Sequence, residues 1–175
     1  MPIKFLPLPS QQHLLALFDY CSDSGELFWK VSAGTRRKPT EVAGSTNLEG
    51  YRIVRIDGQN FPAHRLIWKM QTGKDPQILD HISGGSNAWS NLRECTVSQN
   101  AANRRGPERD SASGYRGIRR RNGTYWEARV MCEGVRRQKT FPDSRYGGAQ
   151  QSLLAARTWV ANKRRDLFGE YAGKD

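Results

Sequence analysis

The chain is expected to fold as α+β, on three observations. Tyr51-Arg52-Ile53-Val54-Arg55-Ile56 alternates with period two and runs into Asp57-Gly58, a hairpin signal, before Phe61 and Ala63. Ala63 to Thr72 then places Leu66, Ile67 and Met70 on one helical stripe, with Gly73 as a stop. Further on, three strand candidates (115–120, 124–132 and 135–141) are separated by Asn122-Gly123 and Glu133-Gly134, and one helix, roughly 148–167, follows them.

The remaining elements follow the same rules. Ser10 is an N-cap for a short amphipathic helix over 11–21, where Leu14, Leu15, Leu17 and Phe18 recur at helical spacing. Residues 26–31 read as a strand, and 34–39, with Arg36-Arg37-Lys38, as an exposed basic loop. Those charges are either solvated or in contact with phosphate.

A length of 175 residues allows one medium domain or two small ones. The stretch 104–114 is rich in breakers and poor in large apolar side chains, so a boundary is expected there: residues 1–106, a linker over 107–113, and residues 114–175. The first part has 13 basic and 9 acidic residues, net +4; the remainder has 15 and 8, net +7. A surface with an overall charge of +11 attracts polyanions through counterion release, which makes nucleic acid the leading partner. No apolar run nears the roughly 18 residues of a membrane span, and residues 1–10 lack the pattern of a signal peptide. The reading is a soluble, intracellular protein. Cys21, Cys95 and Cys132 are odd in number and never form a Cys-x-x-Cys pair, against both a disulfide framework and a zinc knuckle.

One segment carries candidate chemistry. Leu79-Asp80-His81-Ile82 reads as a short strand ending at the polar loop Ser83-Gly84-Gly85-Ser86-Asn87; Asn91-Leu92 follows, and Thr96-Val97-Ser98-Gln99 has the spacing of a capping box opening a helix through Asn100 and Asn103. Phosphodiester hydrolysis needs a base to deprotonate water and a hard divalent cation held by oxygen ligands. Asp80 and Asn100 offer oxygens, and His81 offers the base. Alone, an Asp-His pair at a strand end more often reads as a turn with ordinary hydrogen bonds.

The segment has company. Gly25-Glu26-Leu27-Phe28-Trp29-Lys30, Val42-Ala43-Gly44, Gly50-Tyr51-Arg52, Ala63-His64-Arg65-Leu66, Asp80-His81-Ile82, Asn91-Leu92-Arg93 and Gln99-Asn100-x-x-Asn103, spread over about residues 16–104, together resemble the HNH endonucleases, specifically the Asn-ending homing enzymes of phages and mobile introns. The resemblance implies a ββα-metal nuclease domain over 1–106. Asp80 and Asn100 would be metal ligands, His81 the general base, and Asn91 the residue that brace the loop and orients the base; Asn103 is the second choice for the helix ligand. It further implies magnesium, with manganese as substitute, cleavage of one or both DNA strands, and a phage-encoded protein in the cytoplasm of a bacterial host. The loop between His81 and Asn91 is about two residues shorter than similar relatives carry, and Ser86-Asn87-Ala88 stands where they read Asp-Asn-Arg. His64, at the start of its helix beside Arg65, is read as making a structural hydrogen bond rather than a phosphate contact.

Within 125–132, Trp126, Ala128, Val130 and Cys132 share one strand face, and Tyr125, Glu127, Arg129 and Met131 the other. The first face should pack on the closing helix through Leu153, Ala156, Val160 and Leu167. The second leaves Arg129 beside Arg116, Arg119 and Arg121 of the first strand and Arg137 of the third, a set of guanidinium forks suited to guanine edges or phosphates in a major groove. Tyr115-Arg116-Gly117-Ile118-Arg119, Asn122-Gly123, Thr140-Phe141 and Leu167-Phe168-Gly169 resemble the DNA-binding domain of plant ethylene-response factors, the apetala type. That resemblance implies three antiparallel strands packed on one helix and inserted in duplex DNA. The expected function is therefore a metal-dependent homing-type DNA endonuclease. The rival is a catalytically inactive, sequence-specific DNA-binding protein; RNA binding ranks last, because exposed aromatic platforms are lacking.

Overall fold

The computed structural model describes residues 6–32, 38–103 and 112–172. They form mixed α+β structure with small antiparallel sheets, in two compact units, Met1–Cys95 and Thr96–Asp175. No helix among the described residues is long and apolar enough to cross a membrane. Of the expected linker, residues 107–111 lie outside the described residues, as do positions 34–37 of the expected basic loop.

In the first unit, helix α1 (Gln11–Leu17) starts where Ser10 Oγ accepts the His13 N–H at 3.2 Å. It stops four residues short of the expected end, because Phe18–Cys21 leaves the helix to become strand β1 and pairs with β2 (Glu26–Trp29). That pairing sets the Phe18 and Trp29 rings 4.5 Å apart while Phe18 remains fully buried, so the apolar anchor is kept under either conformation and the strand ladder decides. A second sheet follows in the order β3 (Ser45–Thr46), β4 (Arg52–Ile56), β5 (Gln59–Pro62), and leads into helix α2 (Ala63–Thr72), which ends at left-handed Gly73 as expected. Leu14, Leu27, Val54, Ile56, Leu66 and Ile67 are the fully enclosed centre of this unit. Strands β6 (Leu79–His81) and β7 (Leu92–Glu94) make a separate two-stranded hairpin. It is fastened to α2 by Arg65, whose buried Nη2 donates to Pro76 O at 2.9 Å just before β6 begins.

The second unit begins earlier than the expected boundary. Helix α3 (Val97–Asn103) belongs to it, because Ala102 is buried in its core, the Arg164 guanidinium donates to Ala102 O, and Glu133 N donates to Ser98 Oγ at 3.0 Å. The capping box is formed: Gln99 N donates to Thr96 Oγ1 at 3.2 Å and Thr96 N to Gln99 Oε1 at 2.8 Å. Strands β8 (Ile118–Arg121), β9 (Tyr125–Cys132) and β10 (Val135–Pro142) are antiparallel in the order β10-β9-β8, followed by the short helix α4 (Asp143–Tyr146) and the long α5 (Ala149–Phe168). Burial on β9 alternates as its sequence predicts, with Trp126, Ala128 and Val130 inward. They meet a stripe on α5 spaced by four, Ser152, Ala156, Val160, Arg164 and Phe168. Leu153 and Leu167 flank this contact, only partly buried.

Candidate functional site

Asp80 and Arg93 face each other across the β6–β7 hairpin and both point inward, 7% and 9% exposed. Arg93 Nε and Nη2 donate to Asp80 Oδ2 at 3.1 and 2.9 Å. A carboxylate and a guanidinium leave water together here; either without the other would be expensive to bury. The next residue, His81, sits at the strand end opposite Leu92 and faces the polar loop.

That loop turns at Gly84-Gly85, and side-chain amides fasten the rest of its course. Asn91 spans it: its Oδ1 accepts from Ser83 N at 2.8 Å and its Nδ2 donates to Ser86 O at 2.7 Å. Asn91 thus braces residues 83–86 directly. The contact to the histidine comes from another residue, Asn87, whose Oδ1 lies 2.9 Å from His81 Nε2. An amide oxygen only accepts, so Nε2 carries the hydrogen in this pair, and the basic lone pair of the neutral ring resides on Nδ1.

His64 of α2 lies edge-on to His81, ring centroids 5.2 Å apart, and Tyr51 leans over both at 5.8 and 6.3 Å. Burial, with His81 and Arg65 nearby, pushes the His64 imidazole down to about 3, so it stays neutral wherever a nuclease would work. His64, expected to make a structural hydrogen bond, lies with its ring against the other imidazole as part of the wall around His81.

Of the residues in the β6–β7 hairpin and its loop (79–94), Asp80 is the acidic side chain beside His81 in the chain. Among the described residues, no three His, Cys, Asp or Glu side chains gather as a metal-holding group. The donors present fit a magnesium site of the kind that takes one or two carboxylates and fills the rest of its shell with water and substrate phosphate, rather than an all-protein cage. Asn100 and Asn103, the expected helix ligands, are carried by α3 in the second unit.

In the second unit the ladder sorts the arginines. Arg119 pairs with Glu127, Arg121 with Tyr125, and Gln138 with Arg129, so Arg119, Arg121 and Arg129 share the sheet face away from α5. Arg116 precedes β8 and lines a groove of about 530 Å³ with Arg129, Arg136 and Arg164. Arg137 is the exception: it pairs with Val130, an inward residue, and therefore lies on the α5 side, while Arg136, opposite Met131, takes the open face. The register follows from the two-residue turn at Glu133-Gly134, which sets Val135 against Cys132. Glu127 stands among these cations, its Oε1 accepting from Arg121 Nη2 at 2.9 Å and lying 3.9 Å from Arg129 Nε. Below the sheet, Arg120 pairs with Asp143, which also accepts from Ser152 Oγ at 2.6 Å. These two partners hold the Asp143 carboxyl down to about 2.

Gly117 explains how Tyr115-Arg116-Gly117 can hug the central strand. Its φ is +77°, its carbonyl accepts from Arg129 N at 2.7 Å, and a Cβ there would lie 2.5 Å from Arg129 O. Only glycine fits.

Sequence reasoning missed Asn87, the packing of His64 on His81, and the central place of Glu127. An asparagine in a Ser/Gly loop carries no periodic signal, whereas the Arg136/Arg137 order could have been counted from the turn. Comparison with protein-family models, with curated proteins and with solved structures finds no match.

Proposed function

We propose that this chain is a metal-dependent DNA endonuclease of homing type, with an HNH-like ββα-metal site in the first unit and an apetala-like DNA-binding surface in the second. The observation that carries the reading is the placement of His81: a histidine at a strand end, following Asp80 in the chain, with Nε2 2.9 Å from the Asn87 amide oxygen, a pairing that leaves Nδ1 as the basic nitrogen. A general base for water needs that fixed tautomer and orientation.

In this mechanism, Asn91 keeps the loop closed, Asn87 fixes the imidazole, and His81 Nδ1 takes a proton from the attacking water. A bound divalent cation, magnesium or in its place manganese, supplies Lewis-acid stabilisation of the charge on the scissile phosphate and the leaving oxygen. Asp80 would hold it, with Arg93 fixing that carboxylate in place. Neutral His64 adds no charge beside the base. The open arginine face, Arg119, Arg121, Arg129 and Arg136, with Arg116 at its edge, supplies phosphate contacts and guanine readout on duplex DNA.

A second reading, a DNA-binding protein that does not cut, is favoured by one observation: two Arg93 hydrogen bonds end on the carboxylate that would serve the metal. Supercoiled-plasmid conversion at moderate salt separates the two. With magnesium, the wild type is expected to nick or linearise the plasmid, and EDTA or His81→Ala to abolish conversion. Binding without conversion in magnesium or manganese would establish the second reading instead.

A further inference from the structure

The role of orienting the base falls by resemblance on Asn91, yet Asn91 spends both ends of its amide on the loop backbone, at Ser83 N and Ser86 O. The side chain that reaches His81 is Asn87. What fixes Asn87 comes from a distant part of the sequence, the β1–β2 hairpin.

Three consecutive residues of the loop are fastened there. Tyr20 Oη donates to Asn87 O at 2.9 Å, and Trp89 N donates to Ser22 O at 3.0 Å. Between these two bonds, Gly25 presses its bare Cα against the loop: a Cβ would fall 2.3 Å from Ala88 N and 2.3 Å from Asn87 C. Gly25 also has φ +78°, so both its conformation and its contact demand glycine. The Asn87 backbone is therefore clamped from one side by the hairpin, while its side chain points to the histidine on the other. Burial, reinforced by Cys21 and Asp23, pushes the Tyr20 phenol up to about 12, so it remains a hydrogen-bond donor throughout the working range.

We propose that Asn87 is the positioning residue for His81, and that Tyr20 and Gly25 of the β1–β2 hairpin set Asn87 in place for that task. The catalytic significance of this rests on the endonuclease reading; the geometry of the histidine does not. The hairpin thus acts on the reaction through two intermediaries, Asn87 and then the His81 tautomer, without touching substrate.

The test is nitrogen-15 NMR of histidine-labelled full-length protein, at a pH where the imidazoles are neutral, with His81 identified by its absence in His81→Ala. In the wild type, His81 is expected to show a protonated Nε2 and an unprotonated Nδ1, with an Nε2–H proton slow to exchange with water. Asn87→Asp keeps an acceptor oxygen and should keep this signal. Asn87→Leu should lose it, and kcat for plasmid cleavage should fall about tenfold to a hundredfold with KM little changed. Tyr20→Phe removes one hydroxyl and should speed Nε2–H exchange several-fold; this small change decides the matter if Asn87→Leu does not fold. An unchanged His81 signal in Asn87→Leu, unchanged exchange in Tyr20→Phe, or a wild type protonated on Nδ1 would each overturn the proposal. A wild type that never cuts DNA would sink the endonuclease reading alone, since the His81 signal still decides what positions the ring.

Discussion

The β6–β7 hairpin and the β8–β10 sheet solve the same problem, joining antiparallel strands, in different ways. In the sheet, the connections are three residues (122–124) and two residues (133–134) long, and each turns on a pair with positive φ: Asn122 and Gly123 at +48° and +67°, Glu133 and Gly134 at +51° and +78°. Backbone geometry alone sets the register. In the β6–β7 hairpin, residues 82–91 connect three-residue strands, and the shape rests on amide side chains, Asn91 across the loop and Asn87 onto His81. The tight-turned sheet presents arginines on one face. In the amide-laced loop, the side chains that hold the backbone lie beside one that holds an imidazole.

Breaking the backbone device should cost most. Gly117→Ala forces a side chain into positive φ and sets Cβ 2.5 Å from Arg129 O, so the second unit should lose about 3 kcal/mol in chemical denaturation. Gly123→Ala is the matched control: its φ is similar, at +67°, but the space is open, and only about 1 kcal/mol should be lost. Equal losses would mean that the close approach at Gly117 contributes nothing.

The amide device should break more cheaply in stability and more dearly in function. Asn91→Ala removes two hydrogen bonds in an exposed loop, worth about 1–2 kcal/mol together. Plasmid cleavage should nevertheless fall by more than tenfold, because the loop that carries Asn87 is no longer closed.

The smallest effect sharpens the same contrast through pH. His64 binds a proton near pH 6.5 when unfolded and only near pH 3 when folded beside His81, Tyr51 and Arg65. Between those values the unfolded chain binds more protons, so stability is full above about 6.5 and declines as pH falls, by about 1 kcal/mol at pH 5.5. His64→Gln should flatten this decline in urea titrations repeated at pH 7.5, 6.5 and 5.5.

The same contrast explains what the sequence revealed. Period-two alternation in 125–132, glycine-bearing turns, the glycine stop of α2 and the Thr96–Gln99 capping box are local rules, and each appears where it was expected. The end of α1 was misread because Phe18 satisfies a helical stripe and a strand equally, and only pairing with Glu26–Trp29 decides. The placing of Asp80 with Arg93, and of His81 with His64 and Asn87, depends on tertiary contacts that no periodicity encodes. The Asp80–His81 pair could be found by residue type and resemblance; the asparagine that holds it could not.

Under the proposed endonuclease function the labour is divided, with His81 cutting and the arginine face holding DNA. The most direct test measures DNA affinity and magnesium-dependent cleavage on the same plasmid for wild type, His81→Ala and the triple variant Arg119→Ala, Arg121→Ala, Arg136→Ala. His81→Ala is expected to bind like wild type and not to cut. The triple variant should bind far more weakly, yet cut once DNA is saturating. Cleavage by His81→Ala at the wild-type rate, or wild-type affinity in the triple variant, would contradict that division of labour.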